Sequence, residues 1–103
     1  MSRPVDGASV HVALCLVRLH LPSVGSLKEK RMVLRSLKDS LRQHHNVAVA
    51  EVEHQDLWQR AGLGIVTVAT NDDGASKVLQ QVLDEIERLE PGLVTAHQVE
   101  YLR

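Results

Sequence analysis

Two segments of the chain are apolar at odd and even positions alike. Residues 9–21 and 63–70 are rich in Val, Leu, Ile and Ala on both alternating sides. A surface helix would show a single apolar stripe, and a half-exposed strand would alternate between apolar and polar residues. A strand covered on both faces shows the continuous pattern instead. The pattern therefore predicts two central strands.

Two further segments carry polar residues on one side and predict edge strands. In residues 47–53, one side changes from valine to glutamate at Glu51 and Glu53, whereas the other side stays apolar. In residues 93–103, Gln98 and Glu100 mark one side as polar. A strand with one solvated side is typical of the edge of an antiparallel sheet.

Two segments carry apolar residues at helical spacing. The first begins at Ser26-Leu27-Lys28-Glu29, which has the form of a capping box, and runs to about residue 44. The second follows the helix-start signal Asn71-Asp72-Asp73, runs to about residue 89 and ends ahead of Pro91-Gly92. The apolar stripes consist of Leu27, Val33, Leu34, Leu37 and Leu41 in the first helix, and of Ala75, Val78, Leu79, Val82, Ile86 and Leu89 in the second.

The predicted elements follow the order β-α-β-β-α-β. Two right-handed crossovers join them into a four-stranded antiparallel sheet with both helices on one face. This α+β, ferredoxin-like sandwich has the strand order 4-1-3-2, so its central strands are the two that the pattern predicts to be covered on both faces. Residues 1–8 are predicted to form a flexible N-terminus, and residues 9–103 a single ferredoxin-like domain.

The predicted sheet has one face without helices. The two central strands present apolar side chains to that face as well, and a monomer that exposes such a surface is unusual. We therefore expect a homo-oligomer, most simply a dimer, in which a second copy covers the open sheet face. The alternatives are a hydrophobic but free surface, or helices long enough to drape over it.

The composition narrows the classes of function. The net charge of −1 argues against a protein that binds polyanions through its total charge. Cys15 is the only cysteine, so an internal disulfide and a four-cysteine metal site are both excluded. The chain has no signal-peptide pattern and no apolar run of membrane-spanning length. We expect a cytoplasmic protein without a membrane partner.

The near-zero net charge conceals two charged helices. The first helix carries basic residues at spacings of 3, 4, 3 and 4, which place all of them on one face. This basic stripe consists of Lys28, Arg31, Arg35, Lys38 and Arg42. The second helix is predominantly acidic. The stripe either meets phosphates of RNA, each contact releasing counterions, or is a solvated face paired in part with the acidic helix beside it.

Candidate chemistry elsewhere in the chain is sparse. The six histidines show no HxH or HExxH spacing, so we expect no metal site and no cofactor. The adjacent side chains of His44 and His45 are expected to diverge at the end of the first helix. Cys15 lies among apolar residues and is predicted to be a core residue rather than a nucleophile. No catalytic residue is predicted.

The connection between the second and third strands carries more chemistry than a turn needs. It holds the only tryptophan within a dense polar set, and the candidate recognition loop consists of Gln55, Asp56, Trp58, Gln59 and Arg60. In one interpretation the hairpin folds back, Leu57 and Trp58 plug the edge of the core and the polar groups tie the turn. In the other it recognises a partner protein, RNA or a second subunit. The two interpretations are compatible.

The motifs SLKEKR (26–31) and AEVEHQDLWQRAGLGIV (50–66) resemble the YlxP-like family, also called domain of unknown function 503. The resemblance covers roughly residues 10–102. It implies a small ferredoxin-like βαββαβ protein from bacteria, with no established biochemical activity. Genes of the family often lie near those for translation initiation and ribosome maturation factors, so the resemblance implies a link to translation by association.

Three hypotheses of function follow. The first is a non-enzymatic cytoplasmic module that contacts RNA or a ribosomal partner through the basic stripe and the recognition loop. Because aromatic residues are scarce, a structured, backbone-type RNA contact is favoured over sequence-specific single-strand reading. The second is a dimeric small-ligand-binding or regulatory domain that uses the open sheet face. The third, a small hydrolase acting on acyl phosphates, would need an arginine in the loop PSVGS, which has none.

Overall fold

The computed structural model describes residues 7–102, so most of the predicted flexible N-terminus lies outside the described residues. The elements are β1 (His11–His20), α1 (Leu27–His44), β2 (Ala48–Glu53), β3 (Arg60–Ala69), α2 (Asp72–Leu89) and β4 (Val94–Leu102). The sheet order is β2-β3-β1-β4 with every pair antiparallel, which is the predicted order read from the other edge. The ferredoxin-like α+β fold is confirmed.

Both helices begin at the capping residues that the sequence indicates. The Ser26 hydroxyl accepts a hydrogen bond from the Glu29 N–H at 3.1 Å, and the Glu29 carboxylate accepts one from the Gly25 N–H at 3.1 Å. Asn71 caps α2 by accepting from the Gly74 N–H at 2.7 Å. These bonds satisfy N–H groups that have no partner within the helix.

The core lies between the helices and one face of the sheet. The inward residues of β1 alternate with outward ones, and Cys15 among them is 1% exposed, as predicted for a core residue. Burial raises the pKa of its thiol. The packed layer is aliphatic and consists of Ala13, Val17, Leu19, Leu21, Val24, Leu34, Leu37, Leu41, Val49, Ala61, Leu63, Ile65, Ala75, Leu79, Val82 and Ile86 around that cysteine. Leu89, predicted in the stripe of α2, is exposed because the helix ends there.

The strand boundaries differ from the prediction at the β2–β3 hairpin. β3 begins at Arg60 rather than residue 63, because Arg60 already pairs with His20 of β1. A register shift between Glu51 and Glu53 places these two residues on opposite faces of β2. Glu51 therefore points toward α1, whereas Glu53 lies on the open face and binds Arg18, with a 2.9 Å Nε–Oε1 distance. The prediction that both glutamates share one side was wrong because of this bulge.

The face of the sheet away from the helices is apolar over its central strands. Val66 and Val68 of β3 are 36% and 51% exposed, and Val52 of β2 is 50% exposed. Leu14 and Leu16 lie beside them on β1. A glycine residue at position 64 lets Val52 pack closely, because a Cβ there would lie 3.1 Å from the valine methyl group.

Candidate functional site

The feature that organises the candidate site is a buried lysine in the first turns of α1. Lys30 is 1% exposed and occupies the inward position between Leu27 and Leu34. Its ammonium donates to the carbonyl of His54 at 2.6 Å and to the carbonyl of Leu57 at 2.7 Å. A third partner, Glu51 Oε2, lies 2.7 Å away. A buried ammonium is tolerated only when its donors are satisfied in this way.

The ion pair with Lys30 also compensates a buried carboxylate oxygen. Glu51 Oε2 is buried, and its partner among the described residues is the Lys30 ammonium. Its compensation therefore comes from the charge of the lysine. Removal of either member would leave the other buried with its charge uncompensated.

Lys30 holds the loop between β2 and β3, the segment 54–59, against the start of α1. His54 adopts a left-handed conformation with φ of 60°, which costs energy for a residue with a side chain. Its carbonyl accepts from both Lys30 and the Leu57 N–H, and these bonds stabilise the turn. At the other end of the loop, the Gln59 side chain donates to the carbonyls of Pro22 and Val24 at 3.2 Å each. The loop is thus bound at several points along its backbone.

The apolar side chains of this loop point outward. Trp58 is 51% exposed and Leu57 is 47% exposed. The interpretation in which these two residues plug the edge of the core is therefore wrong, because Lys30 occupies the space beneath the hairpin. The second half of that interpretation holds, since Gln59 does tie the turn. The residues from Asp56 to Arg60 line an open depression of about 300 Å³ around the indole.

The basic stripe lies on the outer side of α1. Lys28, Arg31, Arg35 and Arg42 are exposed, and Lys38 is partly buried. Among residues 7–102, no ion pair joins the stripe to α2, so the expected pairing with the acidic helix is absent there. The residues Arg31, Leu34, Arg35, Lys38, Asp39, Arg42 and Glu51 line a groove of about 400 Å³ between α1 and β2.

Arg42 differs from the rest of the stripe because it has structural partners. Its guanidinium donates to the carbonyl of Val49 at 2.6 Å and lies 3.6 Å from Asp39. These contacts attach the end of α1 to the edge strand β2. We therefore regard Lys28, Arg31, Arg35 and Lys38 as the part of the stripe available for a partner.

The stripe and the recognition loop are linked through Lys30 and Glu51. Arg31 lines a groove with Glu51, Glu51 binds the Lys30 ammonium, and that ammonium binds the loop. Lys28 lies on the other side of α1 from Lys30. Gln55, Asp56 and Gln59 are exposed, as are Trp58 and Arg60. The structure thus places Arg31 of the predicted stripe beside the Lys30–Glu51 pair that anchors the predicted loop. Arg60 also borders a second cavity of about 230 Å³ at the end of the sheet, with Arg18, His20, His54 and Thr95.

A second buried ionic cluster lies at the opposite end of α1. Glu85 of α2 is 5% exposed, and its carboxylate contacts Ser40 at 2.7 Å, His44 at 3.1 Å and His45 at 2.8 Å. Arg88 lies 3.7 Å away. Burial alone would raise the pKa of Glu85, but the hydrogen bonds from Ser40, His44 and His45 lower it from 4.5 to about 2.

The expected divergence of His44 and His45 was therefore wrong. Consecutive side chains diverge only while the backbone remains helical. His45 is the C-terminal cap of α1 and is extended, with φ of −137°, so its imidazole turns back toward Glu85. Sequence reasoning identified neither this cluster nor Lys30. For Lys30 a signal was available, because the spacing of residues 27, 30, 34, 37 and 41 puts it in the apolar stripe.

The described residues contain no group of three or more His, Cys, Asp or Glu side chains that could hold a metal ion. His11 is instead paired with Asp72 at 2.9 Å. None of the helices within residues 7–102 is both long and apolar enough to cross a membrane.

Comparisons with known proteins give one family and one general fold. The family described as "Protein of unknown function (DUF503)" matches residues 12–99. The "Uncharacterized protein YlxP" of Bacillus subtilis (strain 168) is 41% identical over 63 residues, which are 61% of this chain and 68% of that protein. A designed protein, "De novo designed protein Foldit4", has a TM-score of 0.53 at 15% identity, over 91% of this chain and 97% of the design. The latter likeness concerns the fold alone.

Proposed function

This chain belongs to the DUF503 family, as its two motifs predicted, and we propose that it is a non-enzymatic cytoplasmic module that contacts RNA of the translation machinery. The proposed contact surface consists of the accessible part of the basic stripe, Lys28, Arg31, Arg35 and Lys38, with the recognition loop beside it. A role in ribosome maturation is the form of this proposal that the family's gene neighbourhood suggests.

One observation carries the proposal: the charges of Arg31 and Arg35 in the stripe are left uncompensated. Arg31 and Arg35 are exposed, line the groove beside β2 and make no ion pair with another described residue. If the stripe served only the fold, its arginines would be expected to form ion pairs with the acidic helix α2, which lies on the same face of the sheet. Cations held in one row on a rigid helix are suited to the phosphates of a structured RNA.

The experiment is co-sedimentation of the purified protein with ribosomes, resolved subunits and ribosomal RNA across a salt series. Phosphate contacts release counterions, so log K should fall with log salt by roughly 0.9 per contact. The variant Arg31→Glu with Arg35→Glu should bind more weakly and show a slope smaller by roughly 1.8. Two single variants serve as matched controls: Arg35→Glu on α1 and Lys77→Glu on α2 change the net charge by the same amount. A larger loss of binding for Arg35→Glu would show that the position of the charge matters and not only the total charge.

Two results would contradict the proposal. Equal binding by the wild type and the double variant would remove α1 from the contact surface. Absence of binding even at low salt would mean that the stripe is only a solvated face, and the link to translation would then be abandoned.

We further propose that the open sheet face is covered by a second copy of the chain. The supporting observation is the apolar surface of β1 and β3, on which Val66 and Val68 are exposed. Contiguous apolar patches of this kind mark interaction sites on soluble proteins. If the RNA proposal fails, this dimer would be the starting point for a small-ligand-binding or regulatory role.

The dimer is tested by molar mass as a function of concentration, from light scattering or sedimentation. Val66→Glu should yield monomers, whereas Val99→Glu should not. Val99 is a matched control because it is similarly exposed, at 38% against 36%, but pairs with Cys15 and so lies on the opposite face. A wild type that is monomeric at all concentrations would contradict the proposal. A panel of metabolites in thermal-shift assays tests the ligand role, since a bound ligand raises stability by mass action.

A further inference from the structure

The recognition loop presents its only aromatic ring to solvent while its backbone is fixed. Trp58 is 51% exposed although tryptophan is the side chain with the most apolar area to bury. Half of that area remains in water in a chain that has one tryptophan and no phenylalanine. A structural role for the indole would require it to pack beneath the hairpin, where Lys30 lies instead.

The tethers on either side of Trp58 determine where its ring can be. The carbonyl of Leu57 accepts from the buried Lys30 at 2.7 Å. The carbonyl of Gln59 accepts from the Leu21 N–H at 2.8 Å, and the Gln59 amide binds Pro22 and Val24. The residue between these anchors has little conformational freedom left to lose on binding, which is the condition for a preorganised contact.

The charges around the ring indicate the chemistry of its partner. Arg60 lines the same depression as the indole, and Arg31 lines the groove beside Glu51, the residue that Lys30 binds. The acidic groups nearby are Asp56, in the depression, and Glu51, whose charge is compensated by Lys30. Arginines on two sides of a flat apolar surface fit a partner that is both anionic and aromatic. A nucleic-acid base with its phosphates has both properties, whereas an apolar protein surface has only one.

We propose that Trp58 stacks on an unpaired base of a structured RNA while Arg31, in the groove beside Glu51, contacts a phosphate next to that base. This inference rests on the proposed function and specifies its ligand. One ring takes one base, so the loop recognises a bulge or a flipped-out nucleotide within folded RNA rather than a single strand. Asp56 and Arg60 supply a hydrogen-bond acceptor and donors for the edge of that base.

The test uses two RNA hairpins of the same stem, one fully paired and one with a single bulged adenosine. Because Trp58 is the only tryptophan, its emission reports contact with the ring itself. The bulged RNA should quench that emission and bind more tightly than the paired RNA. In a gel-shift assay, Trp58→Leu should weaken binding of the bulged RNA by about 5- to 160-fold, since base–aromatic stacking is worth roughly 1–3 kcal/mol. Trp58→Phe retains a ring and should lose less affinity.

The outcomes separate this inference from the proposed function. Equal salt-sensitive binding of both RNAs, without quenching and without an effect of Trp58→Leu, would overturn the stacking and leave the phosphate contact standing. No binding of either RNA would overturn both. A change of emission with protein concentration alone would show that another copy of the chain covers the ring, and this too would overturn the inference. Far-UV circular dichroism confirms that the Leu and Phe variants are folded.

Discussion

Lys30 and Glu85 are both charged and almost completely buried. Lys30 lies in the first turns of α1, whereas Glu85 belongs to α2 and contacts the last turn of α1. They are compensated in different ways. Lys30 binds two backbone carbonyls and one carboxylate, so two of its three partners cannot be removed by substitution of a side chain. Glu85 binds only side chains, each of which a substitution can remove. The first arrangement fixes a loop through its backbone, whereas the second joins two helices through their side chains.

The largest expected effect is that of Lys30→Met. The substitution keeps the approximate volume and length of the side chain but leaves Glu51 without its charge partner. It also leaves the Leu57 carbonyl without a donor and the His54 carbonyl with only the Leu57 N–H. We expect the free energy of unfolding to fall by about 3–5 kcal/mol, measured by urea denaturation with far-UV circular dichroism. Lys28→Met, at an exposed site two residues away, should change it by less than about 0.5 kcal/mol.

The double variant Lys30→Met with Glu51→Leu sharpens this result. If the loss comes from the uncompensated carboxylate, the second substitution should restore part of it. A loss of the same size in both variants would assign the whole effect to the loop carbonyls of His54 and Leu57.

The next effect in size is that of Glu85→Gln. A neutral amide keeps the shape of the side chain but gives up the charge-assisted hydrogen bonds with His44 and His45. We expect a loss of about 2–3 kcal/mol at neutral pH, measured in the same way. Glu100→Gln, at an exposed position of β4, removes the same charge and should be nearly neutral. Equal effects of the two substitutions would show that the cluster is no more than a surface ion pair.

The pH dependence of stability should reveal the same cluster. The pKa of Glu85 is lowered to about 2 in the folded protein, so its contribution is complete above the unfolded value of 4.5 and is lost as the pH falls toward 2. Over that range the wild type should lose about 2 kcal/mol more than Glu85→Gln. Parallel stability curves for the two proteins between pH 5 and pH 2 would contradict this prediction.

The smallest effect is that of Ser40→Ala. It deletes the 2.7 Å hydrogen bond from the Ser40 hydroxyl to Glu85 but leaves both imidazoles in place. We expect a loss of about 1 kcal/mol and a small upward shift of the acid transition, because this bond helps to lower the pKa of Glu85. Ser36→Ala, at an exposed position one turn earlier on α1, is the matched control.

The fold could be predicted from the sequence because its signals are local or follow from topology. The apolar pattern of residues 9–21 and 63–70 identified β1 and β3 as central, and the caps at Ser26 and Asn71 marked both helix starts. The bulge in β2 could not be predicted, because a shift in strand register leaves no signal in the pattern of residue types. In the structure, Glu53 lies opposite Gly62, so close that a Cβ at position 62 would clash with it.

The candidate site was predictable in its members but not in its arrangement. The basic stripe follows from helical spacing, and the loop was conspicuous for its composition. That the two adjoin depends on Lys30, whose burial contradicts the usual exposure of lysine. The cluster at Glu85 depends on where α1 ends, since one further helical residue would turn His45 away. Helix ends are the feature that sequence patterns define least well.

The contacts of Lys30 with the hairpin have a consequence for how this family can diversify. The ammonium binds the main chain of residues 54 and 57, and main-chain carbonyls are the same whatever side chain each residue bears. The exposed positions 55, 56 and 58 can therefore be exchanged without a change in the course of the loop. Gln59 is different, since its side chain itself binds Pro22 and Val24. One backbone can in this way present different side chains to a partner, provided that Lys30 and Gln59 are kept.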